Sequence, residues 1–186
     1  DAAIALVYRR PPTGPRTAVL TNAGGPAAVA ADALDRRGLE LPPLSEETRA
    51  RLRAVCPPGT MTGNPVDMLG GPQPEQYSAA MRVLSDAPEV DSLLVIYVPQ
   101  AITPPQEVAE AVSRVSDGKP VVCCISGGGG IRAAARTLHA HSVPHYLTPC
   151  RAALGLAALW RYGQVRTRPR PTPATPAGSE RWGAAR

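Results

Sequence analysis

Six consecutive apolar positions, Leu93-Leu94-Val95-Ile96-Tyr97-Val98, constrain this chain more than any other feature. A strand with one wet face alternates apolar and polar residues. An uninterrupted run needs cover on both faces, which is the situation of a parallel strand between two helical layers. Residues 17–20, 121–125 and 145–147 repeat the theme at lower strength, and 39–41 reads as a further short strand. Helical patterns lie between them, over 27–37 closing at Gly38, 46–55 capped by Ser45, 74–85, 107–115, 131–141 and 149–162. In the third of these, Tyr77, Met81 and Leu84 share one side. Five short strands alternating with helices predict right-handed crossovers. The expected fold class is a three-layer, doubly wound α/β domain with a parallel five-stranded sheet, flavodoxin-like in its order 2-1-3-4-5.

The flanks read differently. Residues 1–10, with Ile4, Leu6 and Val7, have the pattern of a helix end, and Pro11-Pro12-Thr13-Gly14-Pro15 is a turn-forming connector. The domain itself is expected over 16–163. Residues 164–186 are rich in Pro and Arg without periodicity, the composition of a disordered linker. The chain opens on Asp1-Ala2-Ala3 without Met or signal peptide, as a segment of something longer would.

Charge follows the same division. The formal net charge is +5, and Arg166, Arg168, Arg170, Arg181 and Arg186 stand against Glu180 alone in the last stretch. The basic balance belongs to a tail and not to a groove, so nucleic acid is not an expected partner. No apolar run approaches the roughly 20 residues of a membrane span, which predicts a soluble, cytoplasmic protein. Phe is absent, so Leu, Val, Ile and Ala must fill the core.

The four cysteines, Cys56, Cys123, Cys124 and Cys150, lack metal-ligand spacing. Cys123 and Cys124 are adjacent in an apolar run and point to opposite faces of a strand, the expectation for reduced, structural thiols. His139 and His141, two apart on a helix, face different sides and make no metal pair. His145 has no neighbouring Cys or acid in sequence to complete a triad. Each histidine reads as a surface or hydrogen-bonded residue, and no metal site, nucleophile or general base is apparent.

In a doubly wound domain ligands meet the carboxyl ends of the strands. Three loops there have unusual composition. Asn22-Ala23-Gly24-Gly25-Pro26 runs from a strand into a helix, whose first N–H groups attract anions. Ser126-Gly127-Gly128-Gly129-Gly130 repeats that arrangement, and Pro99-Gln100-Ala101-Ile102-Thr103-Pro104 offers amide and hydroxyl groups. Gly-rich turns also close tight corners without any ligand, and both readings stand at this point. Neither matches G-x-x-x-x-G-K-[ST], and no G-x-G-x-x-G with a downstream acid is present. The Asn64-Pro65-Val66-Asp67 turn is either an Asx-type device or a way to place the Asp67 carboxylate near the strand ends.

The run Thr17-Ala18-Val19-Leu20-Thr21-Asn22-Ala23-Gly24-Gly25-Pro26, continuing to Leu34, resembles the second flavodoxin-like domain of the NDP-forming acyl-CoA synthetases (acetate-CoA ligases). So do Leu44-Ser45-Glu46-Glu47-Thr48, Gly63-Asn64-Pro65-Val66-Asp67, Leu94-Val95-Ile96 with the Pro99-to-Thr103 loop, and Lys119-Pro120-Val121. Val143-Pro144-His145-Tyr146, Pro149 and Arg161-Tyr162 match its closing segment, and the similarity spans about 16–163. More distantly, the arrangement is similar to the carboxyl-terminal domain of the succinyl-CoA synthetase β subunit.

The resemblance implies part of an ATP-dependent ligase making acyl-CoA, ADP and phosphate from acid, CoA and ATP. In that family a phosphohistidine shuttles phosphate between a CoA/acyl site and an ATP-grasp site, and two helices aim their N-termini at it. The helix after Asn22-Ala23-Gly24-Gly25 resembles one of the pair, Asn22 a contact to acyl group or phosphate, and Pro99-Gln100 another substrate-facing segment. Partners implied are CoA-binding and ATP-grasp domains, a small carboxylic acid or acyl phosphate, and CoA, ATP and Mg in the complete enzyme, none held by this domain alone. Two departures matter. The family's histidine sits in an upstream Ser-His-Thr-Gly-type motif that His139, His141 and His145 do not match, and Ser126 to Gly130 is more Gly-rich than the family's turn. The chain alone is therefore not expected to be active. Two other readings remain: a ligand-sensing module of a GNAT-fused lysine acetyltransferase, in which the same domain set occurs, and a free-standing binding domain. FMN would want more aromatic rings than this chain has.

Overall fold

The computed structural model describes residues 1–116 and 118–168. The elements in order are α1 (Ala2–Tyr8), β1 (Thr17–Thr21), α2 (Gly24–Asp35), α3 (Glu46–Val55), β2 (Val66–Asp67) and α4 (Pro74–Asp86). They continue with β3 (Ser92–Tyr97), α5 (Pro105–Ser113), β4 (Val121–Ile125), α6 (Ile131–Ala140), β5 (His145–Tyr146) and α7 (Pro149–Thr167). The sheet has five parallel strands in the order β2-β1-β3-β4-β5, the flavodoxin-like arrangement.

Alternation along the buried strands sorts the core into two layers. Leu93, Val95 and Tyr97 face the side covered by α3 to α6, where Leu52, Tyr77, Met81, Leu84, Val112 and Leu138 pack. Leu94 and Ile96 face α1, α2 and α7. That second layer is built on small residues, Ala27, Ala30, Ala33, Ala152, Ala153 and Ala157, so the helices approach the sheet closely and need no Phe. Cys123 and Cys124 divide between the two layers as adjacent strand residues must. Burial pushes the Cys124 thiol up to about 11.

The identity of one strand differs from expectation. Residues 39–41 contribute a single bridge, Arg16 to Glu40, because Pro42 and Pro43 follow at once and cannot donate to a ladder. The strand beside β1 is instead Val66–Asp67, paired with Leu20 and Thr21. Asn64 spans the gap between the two. Its Oδ1 accepts the Val19 N–H at 3.0 Å, and its Nδ2 donates to Thr17 O at 2.9 Å and Pro42 O at 3.1 Å. One side-chain amide thus takes the place of a strand residue along the β1 edge.

Two helices also differ in extent. α2 starts at Gly24, earlier than the pattern suggested, because first-turn residues need no N–H partner inside the helix. α7 runs to Thr167, so residues 164–167 are helical and not linker. Arg168, its extended C-cap, precedes Pro169, and a residue before proline is pushed out of the helical region. The rest of the expected linker, 169–186, lies outside the described residues. No described helix is long and apolar enough to cross a membrane.

At the opposite end of the sheet from the β1–α2 turn, Asp91 closes the connector onto the entrance of β3. Its carboxylate accepts from Arg16 Nε at 2.9 Å, Arg16 Nη2 at 2.8 Å, Arg16 N at 3.0 Å and Thr13 Oγ1 at 3.2 Å. The Arg16 guanidinium holds the Asp91 carboxyl below the usual range. A folded-state value below the unfolded one, about 3.9, means that this stabilisation is present above that pH. It is lost as pH falls through the folded value. Asp91→Ala is expected to cost about 2–4 kcal/mol at neutral pH and to flatten the acid limb of the stability curve below about pH 4. Urea unfolding at a series of pH values checks both.

Candidate functional site

The carboxyl ends of β1, β2 and β3 bring the first loop, Asp67 and the third loop together. At the end of β1 the Thr21 hydroxyl accepts the Ala23 N–H at 3.0 Å and donates to Ala23 O at 3.1 Å, which turns the chain sharply into α2. α2 begins without a cap: Ala23 offers no side-chain acceptor and the first turn holds no acid. By contrast, Ser45 and Thr148 cap α3 and α7 with their hydroxyls. Pro26 has no N–H, and Ala27 bonds back to Ala23 O. The N–H groups of Gly24 and Gly25 find no acceptor among the described residues. A Cβ at Gly25 would meet nothing within 4 Å, so the space beside that residue is open.

Asp67 flanks the pair. Its Oδ1 accepts the Leu69 N–H at 2.9 Å, an Asx-type turn, and its Oδ2 lies 3.1 Å from where a Cβ on Gly24 would stand. A carboxylate acceptor and two amide donors therefore sit side by side.

Other candidates have structural employment. Asn22, buried, donates from Nδ2 to Val98 O and accepts the Val98 N–H at Oδ1, both at 2.9 Å, which ties the end of β1 to the end of β3. Asn64 is spent on β1 and Pro42. Gln100 accepts the Gly71 N–H at 2.7 Å and its own N–H reaches the Tyr97 hydroxyl, while Pro99 packs toward Gly128. The third loop thereby braces the 70–72 turn, helped by Thr103 Oγ1 on Pro72 O. Ser126 donates to Leu147 O at 2.8 Å, tying the loop after β4 to the end of β5. Gly127, Gly128 and Gly130 all have positive φ, a corner only glycine takes freely.

The histidines stand apart from this edge. His145 opens β5 at the far end of the sheet, and burial lowers its pKa. Its ring lies 6.3 Å from that of His139, which stacks on Tyr8. His139 Nε2 is buried with no hydrogen-bond partner among the described residues, so the reading of a surface or satisfied histidine fails there. No group of three His, Cys, Asp or Glu is placed to hold a metal among the described residues.

Sequence pattern missed Met61, which pairs antiparallel with Asp67 through N–H···O bonds of 2.9 and 3.0 Å. It also missed Thr21, whose short self-contained turn leaves no periodic trace. Concave spaces of ≈ 550, 670 and 590 Å³ open elsewhere, against the connector, the Lys119 turn and the α2–α7 groove, and none touches Gly24, Gly25 or Asp67. Gly24 and Gly25 are exposed, so the α2 edge is an open shelf.

Comparison with known proteins gives the domain a lineage. The family model of the Ligase-CoA domain matches residues 17–167. An acetate-CoA ligase (ADP-forming) I of Archaeoglobus fulgidus is 34% identical over 169 residues, covering 91% of this chain and 24% of that protein. The acetate-CoA ligase (ADP-forming) II α subunit of Pyrococcus furiosus is 37% identical, with 84% of this chain and 36% of the subunit covered. Among solved structures, one from Pyrococcus horikoshii superposes with a TM-score of 0.82 at 34% identity, over 88% of this chain and 39% of the other. The dinucleotide-forming acetyl-coenzyme A synthetase 1 of Ca. Korarchaeum cryptofilum, solved with phosphate and ADP, gives 0.80 at 30% identity, over 89% and 36%. The chain thus spans between a quarter and two-fifths of these relatives. With its parallel sheet and matched span from β1 to the end of α7, the chain belongs to the Ligase-CoA domain family.

Proposed function

We propose that this chain is the flavodoxin-like part of an ATP-dependent ligase that converts a carboxylic acid, CoA and ATP to acyl-CoA, ADP and phosphate. Its contribution is the start of α2, facing a phosphorylated histidine supplied from outside residues 1–186. The observation that carries this reading is the pair of unpartnered N–H groups at Gly24 and Gly25, at an uncapped helix start open to its surroundings. Such a terminus holds partial positive charge and donors aimed at an anion. A phosphorylated imidazole carries anionic oxygens, and its second ring nitrogen bears an N–H only when the ring is protonated. The two amides suit the oxygens, and Asp67 Oδ2 suits the N–H of the protonated ring.

The openness of the shelf supports a site completed by other domains, of the CoA-binding and ATP-grasp kinds, in the same or a partner chain. CoA, ATP and Mg would bind mainly there. Asn22, Gln100 and Pro99 act in this reading by holding the β1, β3 and 70–72 segments in register around the shelf. Ser126 and Gly127 shape the neighbouring corner.

The test is an assay of the protein that carries this domain together with its neighbouring domains. ADP and acyl-CoA should form only when acid, CoA and ATP are all present, with radiolabel passing from the γ-phosphate of ATP to a histidine. Binding of acyl-CoA without turnover or phosphohistidine would replace the ligase reading with a sensing module.

A further inference from the structure

Of the 20 Lys and Arg residues in the sequence, one is lysine, Lys119, and the proposed ligase shelf makes no use of it. It lies in the turn before β4, at the end of the sheet away from Gly24 and Gly25. Its Nζ donates to Leu84 O at 3.4 Å and to Ala87 O, which closes the last turn of α4. A neutral amine keeps two N–H groups, enough for both carbonyls, so losing a proton leaves neither unpaired and frees a lone pair. Burial lowers the Lys119 pKa from the usual lysine value, and Arg16 adds to this, against the carboxylates of Asp91, Glu89 and Asp86. An arginine could cap the same two carbonyls but cannot give up its proton. Lys119 is the one cationic side chain of this chain that can become a nucleophile.

The space beside it has a matching character. Lys119 lines a groove of ≈ 670 Å³ together with Tyr8, Arg9, Arg10, Thr13 and Asp91. Two guanidinium groups stand there against one carboxylate, and Asp91 is already taken by Arg16 and Thr13. Arg9 donates from Nη1 to Ser116 O. Arg10 is exposed, and no hydrogen bond or ion pair holds it among the described residues. A cationic groove of this size suits a small anion. An acyl phosphate is such an anion and also carries an electrophilic carbonyl carbon.

We propose that Lys119 is an acylation site, modified by an acyl phosphate that enters this groove with its phosphoryl group toward Arg10. The amine attacks the carbonyl carbon, a C–N bond forms and the C–O bond to the phosphoryl group breaks. Phosphate leaves, taking the proton that the nitrogen gives up, and nothing is oxidised or reduced. The supply of acyl phosphate rests on the ligase reading above, whereas the reaction at Lys119 does not. The product amide has a single N–H and no charge. Leu84 O or Ala87 O then loses its donor, and α4 loses a cation at its carboxyl end. Acylation therefore loosens the corner between α4 and β4 when acyl phosphate accumulates.

The test treats the 186-residue chain with acetyl phosphate at neutral pH and locates acetyl groups by peptide mass. Lys119 should be acetylated about tenfold or more faster than the free amine of Nα-acetyl-lysine amide, a small part of what held reactants gain over free ones. Arg10→Ala should slow labelling by acetyl phosphate about fivefold or more and leave labelling by the neutral reagent N-acetylimidazole unchanged. The acetylated chain should melt below the untreated one, and the same treatment should leave the Tm of Lys119→Arg where it was. Labelling of Lys119 no faster than the free amine overturns the proposal and makes the residue a helix cap alone. An Arg10→Ala variant that reacts like wild type with acetyl phosphate, or faster labelling by acetyl-CoA than by acetyl phosphate, also overturns it. None of these results touches the ligase reading, which the turnover assay above decides separately.

Discussion

Gly25→Asp is expected to abolish most phosphoryl transfer in the complete ligase while leaving the domain as stable as before, or slightly more so. Nothing lies within 4 Å of the new Cβ, so the substitution fits without displacement. Asp ranks only just above Gly in helix propensity, a gain of about a few tenths of a kcal/mol at most, and an acid in the first turn gains about 0.3–1 kcal/mol from the helix dipole. The same charge would face the anionic group the shelf is proposed to hold. Two like charges about 5 Å apart at an effective dielectric near 20 repel by about 3 kcal/mol, equivalent to a rate loss of about two orders of magnitude. Stability and activity therefore move in opposite directions. A variant that melts higher and turns over like wild type would remove the anion-binding role of α2.

Asn64→Ala is expected to have the largest effect on folding, about 3–4 kcal/mol. The change removes three hydrogen bonds and leaves the Val19 N–H and Thr17 C=O of a fully buried strand without partners on that side. Buried groups orphaned in this way cost their desolvation, about 1–3 kcal/mol each. Urea unfolding should show a marked drop in midpoint with an unchanged slope. Because Asn64 positions Val66–Asp67 against β1, the loss should also displace Asp67 from α2 and lower activity at temperatures where the variant is still folded. A drop under about 1 kcal/mol would mean that water replaces the amide along this edge.

How much of this was legible beforehand depends on how local each device is. The apolar run at 93–98 and its weaker companions carry the fold, because parallel strands buried on both faces leave an unmistakable pattern. The second strand did not follow from pattern. Val66–Asp67 is two residues long, and its place on the sheet is secured by the amide of Asn64, an interaction across 45 residues that no periodicity encodes. The strand-like 39–41 was stopped by the two prolines that follow it. The end of α7 was readable in principle, since Pro169 marks it, but the Pro/Arg-rich composition beyond obscured Gln164 to Thr167.

The site divides along the same line. Gly24 and Gly25 stand out as a turn of unusual composition and do open a helix at the strand ends. Asp67 was visible as an acid in an Asn-Pro turn, and its approach to Gly24 needed the fold. Asn22 was legible as a polar residue in the right loop, yet its two hydrogen bonds to Val98 give it a bracing role that sequence alone does not distinguish from ligand contact.

The most direct test of the central claim, that the start of α2 is an anion site, is a 15N–1H correlation spectrum of this chain titrated with acetyl phosphate at constant ionic strength. The largest amide shifts should fall on Gly24 and Gly25, with Leu69 following through Asp67, and Gly25→Asp should remove them. Shifts centred on the Arg36, Arg37 and Arg161 groove, with Gly24 and Gly25 unmoved, would contradict the account.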